Sequence, residues 1–190
     1  MSLHSRADKL ARAAARSSWL IELAPRVSEL PGPIQKYDDP FLPYSRTVIQ
    51  ATSDLVAGYV FDFAAYMTLG AAGAIALERS VALAAADDAC LTVLHGPFAR
   101  GEFAALAAAG ALNVAAATVT SAAVAEAFAA QGVCGLVVMA SADAHADCCD
   151  GATVCIDGAV FRVLRQSFLD EFKRDDFGEA LHAAVIGLPQ

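Results

Sequence analysis

Five short apolar runs recur along the chain: Trp19–Leu23, Leu55–Phe61, Cys90–Leu94, Val114–Thr120 and Cys134–Ala140. None alternates apolar with polar residues, so each reads as a strand buried on both faces, the pattern of a parallel sheet covered by helices. Alanine-rich segments between them carry helical spacing over Tyr44–Ser53, Gly70–Val81, Glu102–Ala109 and Ala122–Gln131. Asp62–Tyr66 reads as the exit from the second strand. Ser121 is placed to cap the helix that follows it, and Gly132 to end that helix in a left-handed conformation.

Leu3–Arg16 predicts an N-terminal helix, which Ser17–Ser18 breaks. Pro25 closes the first strand, and the proline-rich Val27–Pro43 reads as an extended loop. After the fifth strand the rhythm changes. Ser141–Gly151 is a polar loop, and Asp157–Gly158 then separates the apolar runs Thr153–Ile156 and Ala159–Val163, a strong hairpin signal. A helical tail completes the chain.

The expected architecture is a single α/β domain over residues 1–190. It has an N-terminal helix at 3–16, about five βα units over 18–142, and a C-terminal hairpin and helix over 151–190. Closed (β/α) barrels typically need about 250 residues, against 190 here. The expectation is therefore an abbreviated barrel-like or open parallel sheet. Open strand edges invite pairing, which points to a homodimer or a partner subunit.

A net charge of −8 and a pI near 4.8 exclude nucleic acid as a partner, because phosphate binding needs clustered Lys and Arg. Hydrophobic residues make up 57% of the chain and the mean hydropathy is +0.48. The stretch Phe103–Ala125 holds no charged residue and is long enough to span a bilayer. Gly110, Asn113, Thr118, Thr120 and Ser121 interrupt it, however, so it reads as helix, strand and helix, and no membrane span is expected. His4, Arg6, Lys9, Arg12 and Arg16 make the N-terminus basic; with Asp8 among them they fit a solvated amphipathic helix better than a transit peptide. No secretory h-region is evident, and the odd count of five cysteines suits a reducing, cytoplasmic setting.

Chemistry is sought where parallel strands end. His95 sits at such an end, and an imidazole suits proton transfer. Asp62, at the tip of the second strand, pairs with it as an acid/base couple if the two strands are neighbours, and Arg26 and Arg100 line the same rim. His95, Asp62 and Arg100 are the candidate catalytic residues, weighed against a merely capped histidine at a strand end. Asp143, His145, Asp147, Cys148, Cys149, Asp150 and Cys155 crowd the late loop, yet match no zinc spacing. A metal- or redox-responsive module there is the weaker reading beside a solvated loop with incidental thiols. Gly70 and Gly73 lack a pyrophosphate fingerprint, and no cofactor is expected.

Several segments taken in order resemble the bacterial orotidine 5′-phosphate decarboxylases. They are Ser18–Arg26 with Glu29–Pro31, Arg46–Val56, Leu69–Gly73, Ala76–Arg79, Ala111–Thr120 and Gly132–Val138. The resemblance covers residues 5–142 and implies a phosphate-binding (β/α) barrel ancestry and a dimer. It also implies departures. Ala24 stands where the family has Asp after its first strand, and Val60 where it has a substrate-contacting Lys. In the third-strand signature His95 falls on the first Asp, Pro97 on the proton-donating Lys and Arg100 on the last Asp. A shifted match lets Arg100–Gly101–Glu102 mimic Arg-Gly-Asp but supplies no Lys. The family's late glycine-rich phosphate loop has no counterpart after residue 142. The expectation is a diverged relative without decarboxylase activity, acting as a binding or partner-assembly protein with a small phosphorylated ligand. The alternative is a lyase or isomerase acting on a phosphorylated or carboxylated substrate through His95, Asp62 and Arg100.

Overall fold

A computed structural model describes residues 3–138, 148–149, 152–173 and 175–189. The strands are β1 (Trp19–Leu23), β2 (Gly58–Asp62), β3 (Leu91–Phe98), β4 (Ala116–Val119), β5 (Cys134–Val138), β6 (Cys148–Cys149), β7 (Thr153–Ile156) and β8 (Ala159–Leu164). They follow one another around a closed barrel. β1 to β6 pair in parallel, β7 is antiparallel to both neighbours, and β8 pairs in parallel with β1, Leu20 facing Val163. The helices are α1 (Leu3–Arg16), α2 (Phe41–Thr52), α3 (Phe63–Met67), α4 (Gly70–Ala85), α5 (Ala104–Ala107), α6 (Ala122–Ala130), α7 (Gln166–Leu169) and α8 (Phe177–Ile186).

The ladder has no open edge, which corrects the expectation of exposed strands. A parallel crossover costs a dozen or more residues, whereas antiparallel strands can be joined by a two-residue turn. Asp157 (φ 47°) and Gly158 (φ 80°) form that turn, with both residues in the left-handed region that hairpin turns of this kind require. The hairpin is thus part of the barrel wall rather than a tail behind it, and it is how so short a chain closes.

Strand alternation builds two apolar layers. Leu20, Val60, Val93, Ala116, Leu136, Val154 and Phe161 fill the barrel interior. Ile21, Leu23, Phe61, Leu94, Ala117 and Val119 face outward into a second layer with Val48 of α2, Leu77 of α4, Phe128 of α6 and Leu181 of α8. The apolar runs lack alternation because both faces are covered. The stretch Phe103–Ala125 is divided among a 3-10 turn, α5, β4 and the start of α6, and among the described residues no helix is long and apolar enough to cross a membrane.

Several boundaries differ from the sequence expectation. α2 begins at Phe41, inside the expected loop, because Pro43 falls in its first turn, where a missing N–H costs nothing. The run at Leu55 stays helical at first, Leu55 and Val56 donating to the Thr52 carbonyl, so β2 starts only at Gly58. The expected helix after β3 shrinks to a 3-10 turn at Gly101–Phe103 and the four residues of α5, since Ala108 is extended and Gly110 and Asn113 take positive φ. Ser121 does cap α6, its hydroxyl accepting from Val124 N at 3.4 Å, and Gly132 after it has φ 79°.

α1 is an amphipathic helix, as expected, but its role is structural. Leu10 and Ala13 join the interior cluster at the N-terminal end of the barrel and close that end. Its arginines hold the loops around them: Arg16 donates to the Ser53 carbonyl at 2.7 Å and to Asp87 at 2.6 Å, and Arg6 pairs with Asp157 at 3.1 Å. The hydrogen bond from Arg16 holds the Asp87 carboxyl below its ordinary value. A carboxylate with a lowered folded-state pKa stabilises above its unfolded value and loses that contribution as pH falls through the folded one. Asp87→Asn should therefore cost no more than about 1 kcal/mol at neutral pH, the pair being partly exposed, and should shrink the loss of stability below about pH 4. Urea unfolding from pH 7 to pH 3 measures both; an unaltered acid limb would show that the pair is not coupled to folding.

Candidate functional site

With α1 closing one end, the C-terminal tips of β1–β4 and the residues following β8 converge at the other. On β1, Leu20 belongs to the interior and Ile21 and Leu23 to the outer layer, so Glu22 shares Leu20's inward face. Glu22 is only 7% exposed, and a charge so buried needs partners. Arg165 supplies one, Nε lying 3.1 Å from Glu22 Oε2. Gln166 supplies another by donating its backbone N–H to the same oxygen at 2.9 Å. Both follow β8 directly, and it is the β8–β1 pairing that brings them there.

Gln166 extends this cluster. Its Oε1 accepts from Ala24 N at 2.9 Å, and its Nε2 donates to the Tyr44 hydroxyl at 2.8 Å and to Asp170 at 2.9 Å. Burial raises the Tyr44 pKa above its ordinary value, so the phenol stays neutral and keeps its proton for hydrogen bonding. The N-terminal start of the barrel is thereby tied to its C-terminal strand through a fully partnered polar group.

Asp62 and His95 are brought together, as aligned partners at the tips of β2 and β3. Asp62 accepts from Ala65 N at 2.8 Å and caps α3, which makes its exit a helix start rather than a plain turn. His95 is half-buried, with Nδ1 3.2 Å from Thr118 Oγ1, while that oxygen accepts from Gly96 N at 2.9 Å. The threonine hydroxyl and the ring nitrogen exchange donor and acceptor roles with the tautomer of the imidazole.

β3 then departs from regular pairing: its register against β4 shifts between Leu94 and Phe98. Pro97 sits in that irregularity, where a residue without an N–H breaks no ladder bond. Beyond it, Phe98 packs against Phe63, Phe103 and Phe128 with ring centroids 5.7, 5.1 and 5.9 Å away. Phe63, Phe98 and Phe128 belong to the outer layer.

Arg100 is not drawn to the pair. It forms two 3.0 Å hydrogen bonds to Glu102, and both side chains are well exposed. Arg26 is likewise exposed. Sequence reasoning passed over Glu22, Thr118, Arg165 and Gln166. Glu22 did carry a signal, as the one charge among the five apolar runs read as parallel strands; its partners lie more than a hundred residues away and carried none.

Among the described residues no group of three or more His, Cys, Asp or Glu is placed to hold a metal ion. Asp143, His145, Asp147 and Asp150 lie outside the described residues, so the late-loop reading gains nothing from the structure. Cys90, Cys134 and Cys155 are buried, and burial pushes the Cys90 thiol up to about 12. Surface hollows of about 590 Å³ beside α1 and about 420 Å³ between α2 and α8 lie away from the mouth.

No family model matches the chain. The orotidine 5′-phosphate decarboxylase of Herpetosiphon aurantiacus is 38% identical over 74 residues, 37% of this chain and 28% of that one. A Streptomyces avermitilis protein assigned as an orotidine 5′-phosphate decarboxylase superposes with a TM-score of 0.59 at 24% identity, covering 73% of this chain and 54% of its own. The Leishmania donovani OMP decarboxylase gives 0.56 at 20% identity, with coverages of 73% and 54%. In fold, and over one stretch in sequence, the chain resembles the orotidine 5′-phosphate decarboxylases. The chain spans little over a quarter of the curated decarboxylase it matches and about half of these structures.

The Glu22–Arg165 contact yields a stability prediction. Removing one partner of a buried charge pair costs far more than replacing both. Arg165→Ala should destabilise the chain by about 1–3 kcal/mol, short of the fully buried case because Arg165 is 54% exposed, and adding Glu22→Gln should restore part of the loss. A double-mutant cycle in urea checks this; additive losses would show the two side chains to be energetically independent.

Proposed function

We propose that the chain is a binding protein built on the orotidine 5′-phosphate decarboxylase barrel and that it does not decarboxylate orotidine 5′-phosphate. One observation carries the reading: Pro97, in the irregular end of β3, holds the position that the resemblance gives to the proton-donating lysine. Proline can neither ionise nor give up a proton. The chain's three lysines, Lys9, Lys36 and Lys173, are all absent from the barrel strands. The inward carboxylate that the mouth does hold, Glu22, is already partnered by Arg165. A catalyst of this kind relies on preorganised charges matched to its transition state, commonly worth several kcal/mol, and this arrangement offers no substitute for them.

His95, with Arg26 and Arg165 at the strand ends, favours a small phosphorylated or carboxylated ligand. A second reading rests on the Asp62–His95 pairing: a proton-shuttling lyase or isomerase on such a substrate, in which His95 acts as general base or acid and Asp62 supports the charged imidazole. Self-association or a partner subunit belongs to the proposal too, although closure of the ladder removes edge pairing as its physical basis.

Incubation of the purified chain with orotidine 5′-phosphate should yield no uridine 5′-phosphate above the buffer blank by chromatography; turnover would overturn the reading. In thermal-shift and calorimetric titrations with sugar phosphates and nucleotides, a stabilising ligand should lose about tenfold or more in affinity with His95→Ala, since a hydrogen bond to a charged group is worth about 1.5–3 kcal/mol. Unchanged affinity would remove His95 from the site.

A further inference from the structure

We infer that Thr118 sets the neutral imidazole of His95 as a hydrogen-bond donor toward the mouth, so that a ligand meets an N–H there and not a base. This rests on the reading of the mouth as a ligand site given above, and it narrows what that ligand offers: an oxygen that accepts.

Strand alternation puts both residues inside the barrel. Val93 and Ala116 belong to the interior and Leu94 and Ala117 to the outer layer, so His95 and Thr118 share the inward face. His95 is half-buried at the strand tip, and Thr118 is fully buried. Here β3 advances from Leu94 to Phe98 while β4 advances only from Ala117 to Val119. Such a bulge takes backbone groups out of the ladder. Thr118 stands opposite it, and its Oγ1 accepts from Gly96 N at 2.9 Å. A side chain thus supplies an acceptor to the bulged strand, and the same oxygen lies 3.2 Å from His95 Nδ1.

The threonine proton decides the roles. A hydroxyl donates once and accepts twice, and Gly96 N–H occupies one accepting position. If Nδ1 carries the ring proton and donates to Oγ1, the threonine proton must find another acceptor, and among the described residues Oγ1 has none. A buried donor left in that state costs its full desolvation penalty. If the threonine proton goes to Nδ1, every group at this point is satisfied and the neutral ring holds its own proton on Nε2. Nε2 has no hydrogen-bond partner among the described residues. Asp62, level with His95 on β2, makes its side-chain hydrogen bond to Ala65 N. An imidazolium is protonated on Nε2 as well, so the donor toward the mouth is present in both charge states. A phosphate or carboxylate oxygen accepts from it, whereas the neutral ring takes up no substrate proton there.

The test uses the full chain, isotopically labelled in nitrogen and free of ligand, at about pH 9, where an imidazole is neutral. Long-range proton–nitrogen correlation spectra separate a protonated ring nitrogen from a bare one, and the pattern missing from His95→Ala assigns the signal. In the wild type and in Thr118→Ser, Nδ1 should be bare and Nε2 protonated. In Thr118→Val the ring should average the two tautomers. Inorganic phosphate titrated at the same pH should shift the wild-type Nε2 signal, with affinity falling about two- to tenfold in Thr118→Val, where the ring must be immobilised on binding, and holding in Thr118→Ser. A protonated Nδ1 in the wild type, or a Thr118→Val spectrum identical to it, would overturn the assignment; the wild-type spectrum decides even if Thr118→Val fails to fold. A wild type with the expected ring spectrum that ignores phosphate would instead overturn the mouth as an oxyanion site, and with it the donor's role, so the two failures are told apart.

Discussion

The structure depends on one pairing, that of β8 with β1. Leu20 lies beside Val163 and Ile21 beside Leu164, and everything particular to the mouth follows. The pairing sets Arg165 and Gln166 against Glu22, ties Gln166 to Ala24 N and to the Tyr44 hydroxyl, and completes the interior into which Leu10 and Ala13 of α1 pack. It is also the most distant pairing in the chain, so it carries the largest loop-closure cost. The turn at Asp157–Gly158 lowers that cost locally, because β8 arrives already paired with β7. The distant step then docks a formed hairpin rather than a lone strand.

Glu22 shows how polar groups reinforce that step. A carboxylate inside an apolar barrel is tolerated because three separate segments converge on it or on its neighbour Gln166: the residues after β8, the end of β1 and α2. Before β8 docks, that carboxylate has neither Arg165 nor the Gln166 N–H. The cluster therefore rewards one arrangement of the closing strand and penalises slipped ones, a form of specificity well attested for buried polar groups in some systems and argued here from the partners themselves.

Much of this was legible in the sequence. The strand β1, the Asp157–Gly158 hairpin, the Ser121 cap and the left-handed Gly132 are local events, decided by residues a few positions apart, and the structure places them where their chemistry predicts. What was not legible depends on contacts distant in sequence. Nothing near Ala159–Leu164 says that this strand will find Trp19–Leu23, so an open edge was the natural expectation. Nothing near Glu22 announces Arg165, 143 positions later. The α2 start and the short α5 failed for a different reason, since Pro43 and Gly110 each admit two local readings and packing chooses between them. At the candidate site, the adjacency of Asp62 and His95 followed from consecutive parallel strands, whereas the Thr118 contact needed the β3–β4 register, which bulges where Pro97 sits.

Closure and the form of the mouth have a common origin in topology. In a fully parallel barrel every strand delivers its C-terminal end, and the loop after it, to the same mouth. Here β7 runs the other way, so its exit turn at Asp157 meets Arg6 of α1 at the opposite end, and the connection from Cys149 to Thr153 is only a few residues long. The hairpin that closes the wall thus sends the turn between β7 and β8 away from the mouth. Among the described residues, polar groups at the mouth stand on the strands themselves or directly after them: Glu22, Asp62, His95, Thr118 and Arg165. Side chains so placed are held rigidly, which suits recognition of a small ligand by a few fixed contacts.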